Sequence, residues 1–204
     1  MRKTPLPEAL KIERADAMER DQALAIVHEF VQNQNLRRHM IAVEATMRDY
    51  AKYFGEDPDE WGLVGLLHDF DWEIHPSLES HPQDGAPILR ERGVPEHIIR
   101  CILSHADHTD VPRQTLMERA LYACDEITGL IVAVALVRPS RSLHDLKVRS
   151  VRKKWKEPRF AANVDREQIA RGAEELGVDL WEHVERVIQA MQTVAEELGL
   201  DEQD

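Results

Sequence analysis

Trp61-Gly62-Leu63-Val64-Gly65-Leu66-Leu67-His68-Asp69 is apolar for seven residues and then abruptly polar. A run without a polar face reads as a helix buried on all sides. Asp57-Pro58-Asp59-Glu60 before it supplies an N-cap, a proline at the first helical position and an acid three residues after the cap. A buried helix must be surrounded, and the neighbouring sequence is helical too. Leu36, Met40, Val43, Met47, Tyr50 and Phe54 recur at three- and four-residue steps, as do Leu180, Val184, Val187, Ile188, Met191 and Leu198. The β-branched stretch Ile131 to Val137 continues a pattern that begins at Leu116 and reads as the buried end of a long helix. The spacing predicts helices near 8–33, 36–54, 58–69, 82–92, 95–105, 115–137, 143–155, 165–176 and 179–198. With no repeat, linker or low-complexity segment, the expectation is one all-α domain. It comprises an N-terminal helical extension (1–35), a core (36–137) and C-terminal helices (138–204) packed on that core.

The chain has 204 residues, enough to bury a core without staples. Its net charge of −12 argues against nucleic acid as a general partner, because the summed field repels polyanions. Two cysteines, Cys101 and Cys124, exclude a disulfide scaffold. Met1 to Asp21 carries charges throughout and has no apolar signal-like core, and the most apolar stretch, Ile127 to Val137, is far short of the ~20 residues a membrane span needs. These features predict a soluble cytoplasmic protein with no membrane partner; a homodimer is left open.

The ten histidines lead to the chemistry. His39 lies on or beside the first apolar stripe, His68-Asp69 ends the buried helix, and Asp125 and Glu126 sit inside the mostly apolar Leu121 to Ile127. A buried carboxylate without a partner costs on the order of several kcal/mol unless it is protonated, paired or bound to a metal. One divalent cation satisfies all three segments at once, through His39, His68, Asp69 and Asp125. A mixed nitrogen and oxygen donor set suits Zn, Mn, Fe, Co or Ni better than Ca.

This ordered pattern resembles the HD superfamily of metal-dependent phosphohydrolases: an early His, a His-Asp doublet, then a distant Asp, all on helices. The resemblance covers roughly residues 36 to 130. His81-Pro82-Gln83-Asp84-Gly85-Ala86-Pro87-Ile88-Leu89 and Ser104-His105 resemble the segments that carry two further histidines in bimetallic members. The tail from Arg138 resembles a small, mostly uncharacterised HDIG-like subgroup. The resemblance implies one or two divalent ions (Mn, Fe, Co, Ni, Zn or Mg) held by His39, His68, Asp69, His81, His105 and Asp125. It implies hydrolysis of a small phosphorylated compound, a nucleotide or phosphoester, by metal-activated water, with Asp69 among the catalytic residues. Two departures stand out. Many bimetallic members read His-Asp-Ile-Gly-Lys, whereas this chain reads His68-Asp69-Phe70-Asp71-Trp72-Glu73. The lysine is absent, and the position of the glutamate of nucleotidase-like members is Trp72. Asp71 and Glu73 are then the candidates for general acid or base. Two alternatives share the ligand set: an HD-fold diiron oxygenase and a non-catalytic nucleotide-binding or regulatory module.

An anionic substrate needs positive charge near the ion. From Arg138 to Arg159 nine basic residues face only Asp145 and Glu157, a net +7 that leaves −19 for the rest of the chain. Arg138, Arg141 and Lys147 directly follow the helix bearing Asp125 and are the candidates for substrate contact.

Overall fold

The computed structural model describes residues 18–201, which form ten α-helices, one 3₁₀ turn and no strand. The helices are α1 (Arg20–Phe30), α2 (Gln34–Phe54), α3 (Pro58–Leu67), α4 (Gly85–Glu91), α5 (Glu96–Ser104), α6 (Leu116–Leu136), α7 (Val148–Trp155), α8 (Arg166–Leu176), α9 (Leu180–Gln192) and α10 (Ala195–Leu198), with the 3₁₀ turn at Asp107–Thr109. The all-α architecture is the expected one.

Local chemistry sets the boundaries. Asn33 caps α2 by accepting from the Asn35 and Leu36 amides. Asp57 caps α3 from the Asp59 amide at 2.8 Å, with Pro58 opening the helix. Thr115 and Glu118 form a reciprocal capping box at α6.

Every residue from Trp61 to Leu67 is buried, so α3 is the axle of the fold. It packs most extensively on α2 and also meets α1, α5 and α6. Gly65 makes that closeness achievable: a Cβ there would lie 2.8 Å from the backbone of Glu44 and Val43 on α2. The C-terminal helices α7, α8, α9 and α10 wrap the outer faces of α2 and α6. His183 of α9 joins these two: its Nε2–H donates to the Ala123 carbonyl at 2.8 Å, and its Nδ1 accepts from the Tyr50 hydroxyl at 2.5 Å.

Several boundaries differ from the sequence reading. The helix expected from residue 8 is seen as Arg20–Phe30, and its portion before residue 18 lies outside the described residues. The helix expected at Pro82 starts at Gly85, because residues 77–84 close successive turns, among them His81 N–H to Ser77 O at 2.8 Å and Asp84 N–H to Ser80 O at 2.7 Å. The helix expected from 143 starts at Val148, since Leu143 N–H is taken by the Leu200 carbonyl. The long C-terminal helix breaks at Thr193–Val194 into α9 and α10.

Two outcomes follow from this packing. Gly65→Ala should cost about 1–3 kcal/mol through overpacking of α3 on α2, read as a lower urea midpoint at unchanged slope. His183 must stay neutral, and burial pushes its imidazole down to about 4. A depressed histidine contributes stability that is present above its unfolded value of about 6.5 and is lost as pH falls through about 4. Urea midpoints measured across that window should fall more steeply for the wild type than for His183→Gln.

Candidate metal centre

Four elements deliver the candidate ligands to one place. His39 comes from the second turn of α2, His68-Asp69 from the C-terminal end of α3, His105 from the C-terminal end of α5, and Asp125 from the middle of α6. His81 comes from the turns between α3 and α4. All four imidazoles point Nε2 inward. His39 Nε2 lies 3.2 Å from His68 Nε2 and 3.0 Å from an Asp125 oxygen. His81 Nε2 lies 3.4 Å from His105 Nε2. Asp69 stands between the pairs. One of its oxygens is 3.3 Å from His81 Nε2 and 3.6 Å from both His105 Nε2 and His68 Nε2, and the other is 3.7 Å from His39 Nε2. His39, His68 and Asp69 form one group able to hold an ion, and Asp69, His81 and His105 a second.

The outer nitrogens are all committed. His68 Nδ1–H donates to the Gly65 carbonyl at 2.8 Å, and His105 Nδ1–H to the Ile102 carbonyl at 2.5 Å. His81 Nδ1–H donates to Asp71 at 2.8 Å. The Thr128 hydroxyl donates to the Asp125 carbonyl at 2.8 Å and so presents its oxygen to His39 Nδ1–H at 3.2 Å. In each neutral ring this leaves Nε2 with a bare lone pair. Two lone pairs facing each other at 3.2 or 3.4 Å repel unless positive charge lies between them. Two nitrogens sharing one cation at about 2.1 Å each are about 3.0 Å apart at a right angle and about 3.4 Å at the tetrahedral angle. The donor set therefore fits a pair of divalent ions.

The electrostatics state the same demand. Burial pushes the His68 imidazole down, but the Asp69 and Asp125 carboxylates outweigh it and hold it up at about 9. His81, pushed down by burial, is likewise lifted to about 9 by Asp69 and Asp71. Burial works against both acids, yet the surrounding imidazoles keep Asp69 and Asp125 well below the usual carboxylate range. Burial leaves His105 lowered.

Asp71 and Glu73 are placed differently from the sequence reading. Asp71 has no exposure and so does not face substrate directly. Its oxygens hold His81 and, at 3.3 Å, His75 Nδ1. Gly85 leaves room for it, since a Cβ there would come within 2.6 Å of the carboxyl group. Glu73 turns away and accepts the Gln32 and Asn33 amides at the start of α2. The proposed anion contacts do not join the cluster either. Arg138 is tied to Asp145, while Arg141 and Lys147 are exposed. Among the described residues none of the three bonds to a candidate ligand. Lys147 instead lines a surface groove with Arg152 opposite Asp179, Glu182 and Glu185. Thr128, Gly85 and the positioning role of Asp71 were missed; only the i, i+3 spacing of Asp125 and Thr128 could have hinted at the first.

Comparison with known proteins agrees with this geometry. Residues 36–130 match the family model of the HD domain, and this part of the chain is an HD domain. Ribonuclease Y of Pseudothermotoga lettingae is 38% identical over 73 residues, which are 35% of this chain and 14% of that protein. The chain thus spans only a small part of that relative. No solved structure matches.

The supports of the two ion positions should be separable. Removing the partner of a metal-bound imidazole typically weakens metal affinity 10–100-fold. Thr128→Val should weaken the ion at His39, and Thr128→Ser should restore it. Asp71→Asn should weaken the ion at His81. Calorimetric titration with Mn of chelator-stripped protein should show one of two binding events displaced in each case.

Proposed function

We propose that this protein is a metal-dependent phosphohydrolase that cleaves a small phosphorylated compound, a nucleotide or phosphoester. The observation that carries the reading is the pair of facing imidazole sets sharing one carboxylate, Asp69, which sits within 3.3–3.7 Å of all four Nε2 atoms. His39, His68, Asp69 and Asp125 would hold one ion, and Asp69, His81 and His105 the other. Bound divalent ions activate water and neutralise charge on a phosphoryl oxygen. Four imidazoles contribute no charge in that state, and two carboxylates only partly cancel two divalent cations, so the centre attracts anions although the chain is acidic overall. The side chains of Asp69 and Asp125 are each 17% exposed, which opens the cluster to substrate on their side.

The name of the relative suggests a phosphodiester in RNA as a second substrate. The net charge of −12 works against a long polyanion and favours the small compound.

The test begins with elemental analysis of protein purified without chelators. A screen over nucleotides, general phosphoesters and short RNA with added Mn, Co, Ni and Mg follows. Up to two ions per chain and phosphate release from small esters are expected. Asp69→Ala should lose both metal and turnover while helical circular dichroism is retained. Absence of stoichiometric metal from the wild type together with unaltered behaviour of the variant rejects the reading. Iron content with oxygen consumption would select a diiron oxygenase instead.

A further inference from the structure

Eight of the nine glycines have a structural reason to be glycine. Four have φ between +67° and +79°, where a side chain is strained. At four others a Cβ would come within 2.6–2.8 Å of another residue. Gly129 has neither reason. It lies inside α6, and beyond its own helix backbone a Cβ there would meet no atom of the described residues within 4 Å. A glycine in a helix interior weakens folding about fivefold relative to alanine, and no close packing offsets that cost. The position of Gly129 supplies a reason of another kind. It follows Asp125 by four residues, so the two share one face of α6, their Cβ positions about 5–6 Å apart. Cα–Cβ bonds in a helix tilt toward its N-terminus, so a side chain at 129 would lean over the turn that presents Asp125. Thr128, the residue before it, reaches His39, and both His39 and Asp125 are partly exposed. The open space thus adjoins the metal centre where solvent reaches it. The same face continues with Val132, half-buried, and Leu136, exposed, so an uncharged strip extends about 16 Å from Asp125 to the end of α6. Glu126, on the flank of that face, accepts the Asp165 amide at 2.7 Å.

We infer that Gly129 is a specificity-determining residue: the organic part of the phosphoester lies over it and along Val132 and Leu136, with the phosphate at the metal centre; this rests on the phosphohydrolase reading. The absent side chain sets how broad a group fits beside Asp125. Val132 and Leu136 offer no hydrogen bond, so the strip selects apolar surface, whose removal from water supplies the affinity. The substrate class is therefore a phosphate monoester of a bulky apolar alcohol.

Binding separates this role from a structural one. The Mn-loaded wild type, Gly129→Ala and Gly129→Leu are titrated by calorimetry with methylphosphonate and with 2-naphthylphosphonate, which share the anionic group and differ in apolar bulk. The wild type should bind the naphthyl compound about tenfold more tightly or better. Gly129→Leu should cut that preference by about tenfold or more, and Gly129→Ala by a smaller factor. Metal content should be unchanged in both variants, and Gly129→Ala should melt above the wild type, since it only removes a helix glycine. Equal affinity of the wild type for the two phosphonates, an unchanged preference in Gly129→Leu, or a lowered melting temperature of Gly129→Ala overturns the role of Gly129. Turnover of 2-naphthyl phosphate by the wild type is measured alongside. Preferential naphthylphosphonate binding without turnover rejects the phosphohydrolase reading and leaves the contact at Gly129 standing; turnover without the preference does the reverse.

Discussion

Two pairs of imidazole nitrogens face each other at 3.2 and 3.4 Å, and the rest of the molecule keeps them there. That contact is repulsive when each ring spends its only proton on the far side, as the Nδ1 bonds require. It becomes attractive once positive charge enters. The fold must therefore supply enough stability elsewhere to hold four histidines and two carboxylates in a small volume. The buried stretch Trp61–Leu67 of α3 does this, clamped against α2 through Gly65 and covered by α5 and α6. The residue that shapes the helix contact also orients the metal side chain, since the Gly65 carbonyl accepts from His68 Nδ1. Packing and chemistry share an atom group.

What could be read from the sequence follows from which signals are one-dimensional. Polar residues inside apolar runs are visible without coordinates, and this is why His39, His68, Asp69 and Asp125 could be named together. The helices could be read for the same reason, because the 3.6-residue period shows directly. His81 and His105 came from resemblance, not periodicity. What stayed hidden depends on side-chain direction in irregular chain. Asp71 and Glu73 are two residues apart, yet one points inward to His81 and the other outward to the Gln32 amide. Residues 68–84 are successive turns with no fixed period, so no pattern of spacing could separate them. The basic segment shows a related limit: nine positive residues are conspicuous in sequence, but the pairing of Arg138 with its near neighbour Asp145 is not.

The two candidate ion positions are supported unequally, and the difference bears on how a reaction would be divided between them. His39, His68 and Asp125 come from α2, the end of α3 and α6, whose surroundings are core. His81 comes from the turns, and its orientation depends on Asp71, on the edge-on packing of Trp72 against its ring at 4.9 Å, and on His108, whose Nε2 donates to its carbonyl at 2.8 Å. Helix-borne ligands hold geometry more tightly than loop-borne ones. The first position thus rests on helices, and the second depends in part on the turns of residues 71–81. That segment also carries three of the large exposed apolar side chains, Trp72, Ile74 and Leu78. At 39%, 42% and 62% exposure they forgo part of the stabilisation that complete burial would give, about 1.5–3 kcal/mol apiece.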